Sequence, residues 1–206
     1  MVLRAPASNL PAAAILLGSA LVLAGCLHRP PLARFEQATP VAVVVLLDKK
    51  DGTHLSDLPP EVAAALAHEL ERRNLTPEAL PAQQLQPLGQ NRNSKTRSEL
   101  LANAMGPHRL FLLVELKAEF FGQFEGGYKW NVDGQLTISS TDALSEATTA
   151  TLGVPTFLEQ DAEGTSEALV QASNAIADRA GVLLDDHFAG RIPIATPPTD
   201  SVGPHP

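Results

Sequence analysis

The sequence predicts an α+β domain: a mixed, largely antiparallel sheet of three to five strands, with helices packed on one face. Three observations carry that class. A β-branched and aliphatic run, VAVVVLLD, fills 41–48. Two period-two runs, 110–120 and 128–138, meet across a glycine-rich joint. Helical apolar spacing recurs on either side of that hairpin, at 59–74 and at 164–188.

Taken in order, the run 41–48 has no polar alternate position, so both of its faces are expected in the core. KKDGTHLSD (49–57) reads as a loop. Pro59 and Pro60 open a helix, where a missing N–H costs nothing. Val62, Leu66 and Leu70 form its stripe, and Asn74 is placed to cap its end. TPEALPAQQLQPLGQ (76–90) is ambiguous, with a short edge strand near 82–86 as one reading. A second helix runs from Ser94 to Met105 and stops at Gly106 and Pro107.

The hairpin is the strongest signal. Leu110, Leu112, Val114, Leu116, Ala118 and Phe120 alternate with a more polar set. Beyond GQFEGG, Tyr128, Trp130, Val132, Leu136 and Ile138 alternate with Lys129, Asn131, Asp133, Gln135 and Thr137. One face is therefore expected buried and the other wet. SSTDALS (139–145) is a turn and EATTATLGV (146–154) a third strand. The stretch 164–188 reads as one long helix with Leu169, Ala172, Ile176, Ala180 and Leu183 as its stripe. Thr165 or Ser166 would cap its start, and Gly190 would end it.

The ends do not share these patterns. Residues 1–25 carry one charge, Arg4, ahead of the apolar run PAAAILLGSALVLA (11–24). That run is too short for a spanning helix of roughly 20 apolar residues and fits a signal-peptide core. Leu23, Ala24, Gly25 and Cys26 match the bacterial lipobox, an aliphatic residue and two small ones before a cysteine. The Cys26 thiol is the expected acyl acceptor, and acyl chains contribute about 0.8 kcal/mol per buried CH₂. Cys26 is the single cysteine of the chain, so no disulfide framework competes for it. Leu27 stands where Asp would direct retention in the inner membrane, which points to the outer membrane. The organisation expected is a lipoprotein signal peptide (1–25), a lipidated tether (26–40), an α+β domain (41–190) and a proline-rich disordered tail (191–206).

Composition narrows the function classes. The formal charge is −8, which argues against a nucleic-acid partner. Catalytic motifs are absent: no G-x-S-x-G, no P-loop and no dinucleotide fingerprint. His68, Glu69, Leu70 and Glu71 begin like a zinc-protease helix, but Arg72 replaces the second histidine, leaving a solvated helix face as the expectation. Asp185, Asp186 and His187 read as a polar helix end. No catalytic residue, metal site or cofactor beyond the covalent lipid on Cys26 is expected. Asn74, Leu75 and Thr76 form a sequon without meaning in a bacterial lipoprotein.

Five of the nine aromatic residues gather at the hairpin: Phe120, Phe121, Phe124, Tyr128 and Trp130. Phe120, Tyr128 and Trp130 are expected in the core. Phe121 and Phe124 are the expected partner-binding residues.

Lipobox, tether, the VAVVVLLD strand, the first helix, the SKTRSELLANAMG helix, the hairpin and the closing helix together resemble a superfamily of bacterial envelope lipoproteins. It includes the amino-terminal domain of TolB, the curli-secretion lipoprotein and the lipoprotein activator of penicillin-binding proteins. The resemblance covers about 40–190 and rests on element order. Those families place a glycine in a D-x-x-T-G turn; here Ser140, Thr141, Asp142, Ala143 and Leu144 lack it. Auxiliary lipoproteins of envelope lipid transporters show a similar pattern. The resemblance implies a non-catalytic outer-membrane lipoprotein facing the periplasm, a subunit or regulator of a cell-envelope assembly. Its partners would be the membrane, through the lipid, and an envelope protein; a homo-oligomer is compatible with it. The alternatives are an auxiliary lipid-transport role and an enzyme of unknown type.

Overall fold

The computed structural model describes residues 32–49, 52–55, 58–78, 80, 82–107, 109–124, 126–159 and 164–189. The expected signal peptide with Leu23, Ala24 and Gly25, the expected acylation site Cys26, Gly190 and the expected tail 191–206 lie outside the described residues.

One mixed sheet organises the domain. Its strands are β1 (Thr39–Lys49), β2 (Gly52–Leu55), β3 (Leu75–Glu78), β4 (Leu110–Phe124), β5 (Gly127–Ser140) and β6 (Thr148–Leu158). The order is β2-β1-β4-β5-β6, and β3 also pairs with β1. β2 takes the end of β1, from Leu46 to Lys49, and β3 takes its start, from Thr39 to Ala42. β1 is parallel to β3 and β4; the other ladders are antiparallel.

Alternation sorts each strand between two layers. Val41 and Leu47 of β1 join Leu112, Val114, Leu116, Val132, Leu136 and Ile138 in the larger core. Three helices cover that face: α1 (Pro60–Glu71), α4 (Gly164–Gln171) and α5 (Ser173–Phe188). Ala42, Val44 and Leu46 point the other way, with Phe111 and Leu113, into a second core. The run 41–48 is thus buried on both faces, as its sequence requires.

The α+β class and the mixed sheet are as expected, but helices do not keep to one face. α2 (Ala82–Gly89) and α3 (Ser94–Met105) close the second core through Leu85, Leu88, Leu101 and Ala102. α2 lies where a short edge strand was one reading. β2 forms inside the expected loop 49–57. The long closing helix is broken at Ala172 into α4 and α5, although Ala172 N donates to Ala168 O (3.0 Å) and Ile176 N to Ala172 O (2.9 Å) across the break. Thr165 and Ser166 sit inside the first turn of α4, not at its cap.

The segment ahead of β1 is docked. Ala33 N donates to Asp185 Oδ1 (3.1 Å), and Phe35 N to Arg73 O (3.0 Å). The Phe35 and Phe188 rings meet edge to face, centroids 4.9 Å apart. Asn74 adopts φ 59°, a left-handed position it tolerates, and its side-chain amide donates to Phe35 O (3.1 Å). The described part of the expected tether, from Ala33 onward, therefore packs onto the folded body.

Candidate functional site

Three polar or apolar clusters compete for a functional role. The first lies between α1 and α5. Arg73 is fully buried, and its guanidinium has five N–H donors. Nε donates to Asp185 Oδ1 (2.9 Å), and Nη2 to Asp185 Oδ2 (2.8 Å) and Gly181 O (2.9 Å). Nη1 donates to Glu69 Oε2 and to Glu69 O, both at 2.7 Å. Every donor is used. Burial works against the Glu69 carboxylate, but hydrogen bonds from Arg73 and Arg72 outweigh it and hold the carboxyl below its ordinary value. Burial likewise opposes the Arg73 charge, and its bonds to Asp185 and Glu69 raise its pKa nonetheless.

Two sequence expectations fail here for one reason. Glu69 belongs to a buried ion pair, not to a solvated helix face. Asp185 and His187 are buried, and only Asp186 of that trio is exposed, so 185–187 is not a simple polar end. His187 Nδ1 lies 2.8 Å from Thr148 Oγ1. The missed signal was Arg73, the cation one residue past the motif frame; nothing in its spacing marks it as buried.

The second cluster lies at the start of α3. Asn93 Oδ1 caps the helix by accepting from Thr96 N (3.1 Å). Ser94 Oγ donates to Glu115, and Gln135 Nε2 donates to Ser94 Oγ (2.7 Å). Arg97 Nη1 reaches Glu115 Oε1 at 2.5 Å. A cleft of about 410 Å³ opens beside this group, lined by residues including Ser98, Thr137, Leu144 and Thr149. Several of its hydroxyls already have partners: Ser98 Oγ donates to the backbone Ser94 O (3.1 Å), and Thr137 Oγ1 lies 3.2 Å from Thr149 Oγ1. Arg97 neutralises the carboxylate that would act as base toward Ser94. This geometry fixes α3 on the sheet rather than activating a nucleophile.

The third cluster is apolar and lies at the hairpin end of β4 and β5. The register slips between Phe120 and Gly122, leaving Phe121 as an extra residue in a β-bulge. The consequence for side-chain direction is large. Phe120 pairs with Trp130 and shares its core-side face, while Gly122 pairs with Lys129 and Phe124 with Gly127. Without the slip, Phe124 would follow Phe120 onto the core side. With it, Phe124 joins Phe121 on the outer face, and their rings stack nearly parallel at 6.4 Å and 8°. Lys129 Nζ sits 4.5 Å over the Phe121 ring.

β6 adds a third ring that the sequence reading missed. Phe157 pairs with Lys129 and faces the same side. Phe121, Phe124 and Phe157 are 61%, 50% and 60% exposed. Period-two alternation carries the signal: Phe157 is the large apolar member of the outer set Thr149, Thr151, Gly153 and Pro155, three residues beyond the expected strand 146–154. Phe121 and Phe124 stand exposed as expected. Of the three aromatics expected in the core, Trp130 is buried, Tyr128 is half-buried, and Phe120, on the same core-side face, is 47% exposed. Among the described residues, the ring neighbours of Phe120 are Tyr128 and Trp130, at 6.3 and 5.7 Å. The turn depends on Gly127, whose φ is 156° and where a Cβ would stand 2.5 Å from Leu158 O.

No protein-family model matches the chain, and no curated protein matches it. Among solved structures the chain is similar to a neuraminyllactose-binding hemagglutinin homolog from Helicobacter pylori, at 9% identity over 78% of this chain and 90% of that one, TM-score 0.41. It is similar to the PelC dodecamer from Paraburkholderia phytofirmans, at 11% identity over 75% and 91%, TM-score 0.40. It is also similar to lipoprotein GNA1162 from Neisseria meningitidis, at 18% identity over 68% and 99%, TM-score 0.38. At these identities and scores the likeness assigns this chain no residue role, partner or address.

Proposed function

We propose that this chain is a non-catalytic lipoprotein of the bacterial outer membrane, held by acyl chains on Cys26, that serves a cell-envelope assembly through protein contacts at its aromatic hairpin. One observation carries the reading: three half-exposed phenylalanines share one outward face, brought together by a bulge and a register match. Exposed apolar residues gathered on one face mark contact sites on soluble domains. The polar clusters elsewhere support the same reading, because Arg73 is saturated by Glu69, Asp185 and Gly181 O, and Arg97 pairs with the carboxylate beside Ser94.

Two measurements test it. Cys26→Ala is expected to abolish palmitate incorporation and release the protein from the membrane fraction. The variant Phe121→Thr/Phe124→Thr/Phe157→Thr is expected to keep its fold and lose a stoichiometric partner in affinity purification from envelope extracts. Unchanged recovery of that partner would remove the hairpin from the account.

A further inference from the structure

We infer that the hairpin's occupant is a protein presenting an apolar pocket with a basic rim. This rests on the contact role of the aromatic hairpin proposed above.

Presentation gives the first argument. The register slip in β4 and the β5–β6 pairing put Phe121, Phe124 and Phe157 on one outer face, each half or more exposed.

Charge gives the second. From 110 to 163 the sequence holds nine Asp and Glu against Lys117 and Lys129, and no arginine. Lys117 is already paired with Glu119 at 2.5 Å. Lys129 is drawn over the Phe121 ring. The face offered around the rings, with Glu119, Asp133 and Glu159 exposed, is acidic and repels anionic headgroups. Its complement is an apolar centre ringed by Lys and Arg.

The edge of β6 gives the third. Gln171 takes both backbone groups of Phe157, accepting from N at 3.2 Å and donating to O at 2.9 Å. Arg179 Nε donates to Thr151 O (2.9 Å), and Pro155 has no N–H to offer. Strand addition at this edge is blocked, so recognition uses side chains. Three half-exposed rings supply roughly 300 Å², the centre of a contact near 800 Å² per partner, and the polar outer face of β4 and β5 supplies the rest.

The test uses the full acylated chain. Phe124→p-benzoylphenylalanine is photolysed in cells, and the adduct is mapped by mass spectrometry. The expected adduct lies in an apolar pocket with neighbouring Lys or Arg, disappears with Phe157→Thr, and weakens at least tenfold with Glu119→Lys/Asp133→Lys. An adduct to a second copy, an adduct on a surface without basic residues, or no adduct overturns the inference. In parallel, Cys26→Ala protein is expected not to float with phosphatidylethanolamine–phosphatidylglycerol vesicles; flotation that Phe121→Thr/Phe124→Thr abolishes overturns the proposal in favour of membrane insertion. Flotation of wild type but not Cys26→Ala reports separately on the acylation reading, and its failure leaves the crosslinking result to stand on its own.

Discussion

The two ends of the sheet handle awkward side chains in opposite ways. Near the start of β1, three charged groups are buried and every guanidinium N–H is matched. At the hairpin end, large apolar rings stand in water with neither cover nor depth. A buried charge is tolerated only when the fold supplies all its partners, so the first arrangement is a structural commitment. Exposed rings lower stability little when changed, so the second arrangement costs the fold almost nothing and is free to serve a contact. Comparing the ends therefore separates residues that hold the domain together from those that it presents.

The sharpest way to break this contrast is Arg73→Met. It leaves Glu69 and Asp185 buried without their cation and frees the Ala33 anchor point from a rigid acceptor. The expected loss is about 3–5 kcal/mol in urea unfolding. Converting all three, Arg73→Met/Glu69→Leu/Asp185→Leu, is expected to recover most of that loss, since the penalty lies in the orphaned charges. A triple variant as unstable as the single one would show that the network contributes attraction beyond satisfying itself.

Gly181→Ala probes the same junction more gently. A Cβ there would stand 2.5 Å from Glu69 Oε2 and 3.1 Å from Arg73 Nη2. Alanine gains about 1 kcal/mol of helix propensity over glycine, but crowding the ion pair costs about 1–3 kcal/mol. A net loss near 1 kcal/mol is expected. A gain would mean that the Glu69 side chain has room to shift.

Acid offers a milder lever. The folded Glu69 carboxyl titrates below its ordinary value of 4.5. Its contribution is therefore complete above pH 4.5 and is lost as pH falls through the lowered folded value. The urea midpoint is expected to drop on acidification below that pH, and Glu69→Gln is expected to flatten this part of the profile. An identical acid slope in the variant would assign the loss to other carboxylates.

Legibility in the sequence followed the kind of force involved. Apolar periodicity is local, and it exposed β1, α1, α3 and the β4–β5 hairpin directly. Partners that meet across 112 residues, such as Arg73 and Asp185, leave no periodic trace, so both acids were read as surface. α2, half of the second helical layer, was hidden because it is only eight residues long and contains Pro87. The site was half visible: Phe121 and Phe124 stood out by composition, whereas Phe157 needed the β5–β6 register. The bulge could not be read at all. It depends on how two strands slip past each other, and it alone decides which face Phe124 takes.

That bulge makes the smallest expected effect on stability the most informative about presentation. In Phe121→Thr/Phe124→Thr/Phe157→Thr each ring is already half in water, and threonine keeps the strand preference. Gln171 holds the Phe157 backbone whatever side chain it bears. The cation–π contact of Lys129 is exposed and worth about 0.5–1 kcal/mol. A change within about 0.5 kcal/mol per site is expected in urea unfolding. Hydrophobic-interaction retention should fall clearly at the same time. Stability lost in proportion to ring burial, with unchanged retention, would mean that the outer face packs as core and that the two ends of the sheet do not differ in kind.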